Sequence, residues 1–345
     1  MQILGILLIL PNLAVLGQTP FSSSVDSLIL KGMDQTLMTE FDSAAVTFQK
    51  VIDLYPDHLV GYFYQAANLQ SRMMDIEDNI WENEFYRWID TAEAKGLHML
   101  EEGDENPWTY FYMGSVYSYK GLYQAKSGSL VQGFVSAKKG LGLLEEATKK
   151  DTSLYDAYLG LGNYKYYAGK YYKFLRWLPW ISDEREEGLH MIRLAMQKGI
   201  FSNWVSINSY AWIQYDMKNY AEALTLFLKG LDHYPQSRFF TWGAALCYLK
   251  QGQFEEARKI YELLLDQILN CPWNNGYNEI EARSKLAECY LGLDEAEKAL
   301  EQCRLIQKRE VSKTVKDRLS DQYNATRDIE KKAKQNLASN QNEEN

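Results

Sequence analysis

A chain of 345 residues leaves room for one or two globular domains, or for a lengthwise array that does not enlarge a central core. The formal net charge of -9 and the lack of any long basic run argue against nucleic acid as the main partner, because phosphate binding needs a basic face. The 25 tyrosines and 9 tryptophans are largely accounted for as packing knobs between helices.

Residues 1–17 read as a targeting segment. Ile3 to Leu10 is apolar, Pro11 interrupts the run, and Val15-Leu16-Gly17 offers small or apolar residues before a cut. The expectation is a signal peptide cleaved between Gly17 and Gln18, and an exported protein, periplasmic or secreted, in a bacterial cell envelope. The segment carries no Lys or Arg, so an uncleaved anchor is the alternative. It is too short and too interrupted to be a convincing membrane span. The absence of a Cys after Gly17 argues against a lipoprotein anchor.

After a short polar lead, Gly32, Ala44, Phe48 and Pro56 are spaced by 12, 4 and 8 residues. Small residues at such places let two helices approach closely, and the proline ends the second. Asp57 is expected to cap the next helix, whose stripe is Tyr62, Ala66 and Leu69. Its partner runs from about Glu82 to Glu102, with Trp81, Trp88, Ala92 and Met99 facing inward. Asn106-Pro107 is an N-cap followed by a first-turn proline. That helix continues past Tyr123, and a long partner follows over Leu130–Lys149. The next helix carries Tyr158, Leu161 and Gly162, and then an aromatic insertion spans residues 169–181, GKYYKFLRWLPWI. Asp183 and Glu186 suggest a capping box for the following helix, which faces inward through Gly188, Ile192 and Ala195.

The stretch Asn203–Ile268 matches itself at a shift of 34 residues: Ala211 falls on Ala245, Tyr220 on Phe254, Ala223 on Ala257 and Phe227 on Tyr261. Ala211, Ala223, Phe227 and Pro235 also reproduce the 12, 4 and 8 spacing of the first pair. A fixed period with small residues and aromatics at set places marks a helical repeat array. This pattern resembles the tetratricopeptide repeat. The resemblance implies an all-α fold: a right-handed α-solenoid of stacked antiparallel hairpins over residues 18–335, with a C-terminal capping helix. A hairpin of this kind cannot bury its apolar face alone, whereas stacked neighbours can. Ser237 is expected to cap the second central copy.

Ala287, Tyr290 and Ala299 bring the hairpin back 42 residues after Ala245, Tyr248 and Ala257. A polar helix over Ser312–Gln335 closes the end, and residues 336–345 are expected to be a disordered tail. About seven hairpins result, four of them clear. Cys247, Cys289 and Cys303 read as small core residues and Cys271 as the more exposed one; their spacing fits neither a CxxC motif nor a zinc site.

No catalytic motif is visible. His58, His98, His190 and His233 form no metal-spaced pair, and there is no GxSxG elbow or phosphate loop. Gly160 and Gly162 lack the third glycine and the strand of a dinucleotide site. No enzyme activity, cofactor, metal or small-molecule ligand is expected. Binding is better supported, since the resemblance places partners on the concave face lined by first helices. In that register the lining residues are Trp108, Phe111, Tyr119, Asn163, Tyr166, Asn208, Trp212, Tyr215 and Trp242. Rings could bury a partner's apolar side chains while the amides pair with its backbone, which suits an extended peptide or a partner helix. Equally, several rings could fill the inside of a tight superhelix. The carboxylate-gripping lysines of the chaperone-binding branch have no counterpart here, so that activity is not carried over. The insertion, with Tyr171, Phe174, Trp177 and Trp180 among Lys170, Lys173 and Arg176, has three open readings: packing over its neighbours, a lid or partner knob, or a membrane-interface contact. A non-catalytic protein-binding scaffold is the leading reading. A membrane-peripheral assembly factor stands second and an enzyme without a recognisable motif third.

Overall fold

The computed structural model describes residues 19–171 and 183–343, and these form sixteen helices with no strand among them. In order they are α1 (Ser23–Leu37), α2 (Phe41–Leu54), α3 (Val60–Ile76), α4 (Glu82–Glu101), α5 (Pro107–Lys126), α6 (Leu130–Lys150), α7 (Ala157–Tyr171) and α8 (Arg185–Lys198). Then follow α9 (Asn203–Asp216), α10 (Tyr220–His233), α11 (Arg238–Lys250), α12 (Phe254–Leu269), α13 (Tyr277–Gly292), α14 (Ala296–Lys308), α15 (Lys313–Arg318) and α16 (Ser320–Glu343). Successive pairs from α1/α2 to α13/α14 make seven hairpins, each packed on the next, and α16 lies over α13 and α14. This is an all-α solenoid with a terminal capping helix. The segment expected to be a signal peptide and most of the aromatic insertion, including Phe174, Trp177 and Trp180, lie outside the described residues.

The spaced small residues do what their spacing implied. A Cβ added at Gly32 would lie 2.3 Å from the ring of Phe48, and one at Gly243 would lie 2.3 Å from Phe227. Ala211 and Ala223 are both fully buried, in one cluster with Phe227. Cys247, Cys289 and Cys303 are buried free thiols and Cys271 is half-buried. Burial pushes the Cys247 and Cys289 thiols up to about 12, as expected of inert core residues.

Several local expectations are corrected. Asp57 does not cap α3; it pairs with Lys95 at 3.4 Å, while His58 Nδ1 accepts from the Val60 amide at 3.1 Å. An imidazole two residues ahead of the amide thus takes the role assigned to the carboxylate. Ser237 is the N-cap residue of α11, but its hydroxyl makes no cap hydrogen bond. The N-cap of α8 is Glu184, one residue later than expected; Asp183 Oδ1 still accepts from the first-turn Arg185 amide at 3.3 Å, and its carboxylate also binds the Arg185 guanidinium, with Nη2 to Oδ2 at 2.7 Å. Asn106 does cap α5, accepting from the Trp108 amide at 3.0 Å, with Pro107 in the first turn. The single C-terminal helix expected over Ser312–Gln335 is two helices that part at Leu319, which is fully buried. α16 also runs on to Glu343, past the expected start of a disordered tail, with Leu337 packed against the core that α12–α14 form.

The array curves far enough for its first two hairpins to meet its last three. Tyr234, after α10, donates to Asp34 on α1 at 2.6 Å. Phe41 and Phe239 meet edge-on at 6.4 Å, and Leu37 is buried in the cluster that α9, α10 and α11 build. Further along, Arg238 Nε donates to Asp75 Oδ1 at 2.9 Å, and Asn278 Nδ2 donates to the Asp75 carbonyl at 2.6 Å. Asn275 Nδ2 reaches Asp78 Oδ2 at 3.0 Å, and Arg318 Nη1 donates to the Glu77 carbonyl at 2.8 Å. Trp81 and Trp273 meet edge-on at 5.0 Å, with the Arg72 guanidinium 4.0 Å from the Trp81 ring centre.

Candidate functional site

Packing between neighbouring hairpins decides which inner-face positions remain available to a partner. Trp108, Phe111 and Tyr166, expected to line the groove, are buried and only 4%, 8% and 3% exposed. Trp108 packs edge-on against Phe111 at 5.5 Å and against Phe201 at 5.6 Å, and Phe201 lies two residues before the start of α9. Asp156 holds that segment by accepting from the amides of Ile200, Phe201 and Ser202 at 2.7–2.9 Å. The inner side of α5 is therefore core. Tyr166 sits with Leu189, Ile192, Tyr210 and Ile213, and its hydroxyl donates to Asp216 at 3.0 Å. All three are corrections: the carried-over register names the right helices, but the curvature fills the groove at these rings.

The other six residues are half-buried. Tyr119 lies edge-on to Phe63 at 5.3 Å. The two amides connect first helices to one another. Ser209 on α9 donates to Asn163 Oδ1 on α7 at 2.7 Å, and Asn208 Nδ2 on α9 reaches the Phe239 carbonyl on α11 at 3.5 Å. These bonds align α7, α9 and α11 and occupy atoms that were expected to meet a partner's backbone.

Trp212 and Tyr215 on α9 and Trp242 on α11 are half-buried rings packed on other rings. Trp212 and Tyr215 are three apart on α9 and touch edge-on at 5.7 Å. Trp212 also meets the buried Phe227 ring at 5.1 Å, and Tyr215 meets Tyr220 at 5.3 Å. Trp242, on α11, lies 6.3 Å from Tyr261. Each ring is thus backed by a fixed aromatic partner while keeping part of its surface in solvent. Burial, then the neighbouring Tyr220, pushes the Tyr215 hydroxyl up to about 12, so it stays a neutral donor at physiological pH. The next first helix, α13, contributes Glu281, Lys285 and Glu288, all half-buried, at helical spacing. Burial raises the Glu281 carboxyl above its ordinary range, partly offset by Lys285. This acidic end was missing from the sequence reading, although Glu281 and Glu288 occupy the same register relative to Ala287 that Val205 and Trp212 occupy relative to Ala211.

Among the described residues no group of His, Cys, Asp and Glu is arranged to hold a metal ion. No described helix is long and apolar enough to cross a membrane.

Tetratricopeptide repeat profiles match residues 26–58 and residues 214–272. The chain is similar in fold to a subunit of the APC/C heterotetramer Cut9–Hcn1, with a TM-score of 0.52 at 10% identity over 91% of this chain and 57% of that one. It therefore spans little more than half of that protein. A peptide-binding repeat protein, YrrB, gives a TM-score of 0.44 at 15% identity over 66% of this chain and 97% of the other. The human IFIT1 dimer, solved with a capped RNA, gives 0.46 at 16% identity over 88% of this chain and 72% of that one. No curated protein matches the chain in sequence.

Proposed function

Starting from a chain that carries tetratricopeptide repeats on an all-α solenoid, we propose that this protein is an exported, non-catalytic scaffold that holds an extended peptide or a partner helix at Trp212, Tyr215 and Trp242. The observation that carries the proposal is selective exposure. Trp108 and Phe111 are consumed by the core, whereas these three rings on adjacent first helices stay half-open over rigid aromatic backing. Large rings held in place offer contact area at little entropic cost, as binding hot spots require. The acidic residues of α13 favour a partner with basic side chains at one end. A net charge of -9 suits protein better than phosphate-rich RNA. Export rests on the apolar segment Ile3–Gly17, and a mature N-terminus at or near Gln18 in native protein would support it.

The test is crosslinking capture from the native source with wild type and with Trp212→Ala/Tyr215→Ala. Loss of an aromatic anchor typically costs about 2 kcal/mol or more in binding. The expected outcome is loss of a specific partner with helical circular dichroism and melting nearly unchanged. Early melting of the double variant would assign the rings to the core, and unchanged capture would place the binding surface elsewhere.

A further inference from the structure

The α5–α6 hairpin inverts the usual distribution of side chains at its tip. The seam between the two helices is built from small residues. A Cβ on Gly121 would lie 2.8 Å from the Gly133 carbonyl oxygen and 2.9 Å from the Ala137 amide, and one on Gly140 would lie 2.8 Å from the Gly114 carbonyl oxygen. Ser136 closes the seam by donating to Gln124 Oε1 at 2.8 Å. With backbones this close, nothing large fits between the helices, and the large apolar residues point outward. Leu122, Leu130, Val131, Phe134 and Val135 are 53%, 69%, 74%, 48% and 62% exposed. Isolated exposed apolar residues are ordinary, but five within fourteen positions form a patch that needs a partner. Small residues between helices with large apolar ones outside is the arrangement helices adopt against lipid.

The charge of the hairpin points to the kind of surface. From Asn106 to Leu144 the chain contains Lys120, Lys126, Lys138 and Lys139 and not one Asp or Glu, in a protein whose net charge is -9. Lys120 and Lys126 are engaged by carboxylates: Lys120 with Asp90 and Glu93 on α4, and Lys126 with Glu77, which follows α3. Lys138 and Lys139 are exposed beside the patch; Lys138 continues the stripe of Val131 and Val135 at helical spacing, while Lys139 lies over the Tyr117 ring and donates to its hydroxyl. An apolar stripe ending in lysines matches the boundary between acyl chains and anionic headgroups. We propose that the tip of the α5–α6 hairpin docks on an anionic lipid surface, burying Leu130, Val131, Phe134 and Val135 in the interface while Lys138 meets headgroups. The docking requires no side chain of the 172–182 segment and is independent of the partner groove, which lies on α9 and α11.

The experiment is flotation of the full chain with vesicles of phosphatidylcholine containing about a third phosphatidylglycerol, and with vesicles of phosphatidylcholine alone. Wild type should float with the anionic vesicles, less with the neutral ones, and less again as salt is raised. Val131→Glu/Val135→Glu should lower the bound fraction by about tenfold or more with melting unchanged, because both side chains already face solvent. Lys138→Glu should weaken anionic binding alone. Wild type that stays unbound, or a double variant that binds as well as wild type, overturns the proposal. A double variant that melts early means the chain itself covers the patch, and a wild-type dimer that the variant dissolves means a second copy does. Either result overturns it as well.

Discussion

Asp75 near the end of α3 and Arg238 at the start of α11 are 163 positions apart in the chain and joined through Arg238 Nε and Asp75 Oδ1 at 2.9 Å. The Asp75 side chain is 2% exposed and that of Arg238 13%. Burial raises the Asp75 carboxyl above its ordinary range even against the pull of Arg238 and Arg72. A buried pair of this kind contributes little net stability over a well-packed apolar one, but it penalises every arrangement that leaves one charge alone. Here it is one of several contacts that join the first two hairpins to the last three.

Removing one partner should therefore be costly. Asp75→Ala leaves Arg238 buried without its counter-charge, and a loss of roughly 3 kcal/mol or more in urea unfolding is expected. Faster amide exchange is expected in Tyr234–Phe239 and Asn274–Asn278 than in α5–α6, because the former pair lies at the closure. Asp75→Leu with Arg238→Met should restore much of the stability. Equal exchange in both regions, with the stability of Asp75→Ala intact, would dismiss the closure as a determinant.

His58 gives the protein a predictable acid response. Its ring lies 5.0 Å from Phe21, its Nδ1 accepts from Val60, and burial lowers its pKa from 6.5 to about 4 against a smaller opposing effect of Asp104. The folded state thus binds the proton less readily than the unfolded state. The stability from this group is complete above about pH 6.5 and is lost as pH falls towards about 4, by an amount of about 2–3 kcal/mol. Unfolding of wild type should weaken more steeply between pH 7 and 4.5 than that of His58→Asn. Asparagine can still accept from the Val60 amide but does not titrate there. Parallel pH profiles for the two proteins would count against the assignment.

Two glycines should respond in opposite directions. A Cβ at Gly243 would meet Phe227 at 2.3 Å, so Gly243→Ala should destabilise by about 1–3 kcal/mol. Gly142, within α6, has nothing within 4 Å of the same added atom. Gly142→Ala should stabilise by up to about 1 kcal/mol, because alanine loses less conformational freedom in a helix. Calorimetry on both variants checks the register at a packed and an open site.

Overpacking tests the same register from the second helix. Ala223 is fully buried with Phe227 and Ala211, so Ala223→Leu should cost about 1–3 kcal/mol in urea unfolding. An unchanged midpoint would mean that the two alanines do not share a tight contact.

Local spacing was sufficient for the hairpins. Gly32 with Phe48 and Ala211 with Ala223 are separated by one helix and one turn, so their contact follows from helical geometry and is legible as a period. The same register identified α9 and α11 as inner-face helices and placed Trp212, Tyr215 and Trp242 on them. It did not separate these from Trp108, Phe111 and Tyr166, which have equivalent positions but are buried. That difference arises from curvature, the accumulated sum of small rotations between hairpins, which no single repeat encodes. Contacts such as Asp75–Arg238 and Asp34–Tyr234 join residues with no periodic relation, so they leave no pattern along the chain. Local spacing along the chain is enough for an all-α array and for the faces of its helices, because neighbouring residues dictate both. Which inner rings stay open follows from the three-dimensional packing alone, because it depends on how closely neighbouring hairpins stack over each ring, as Phe201 does over Trp108.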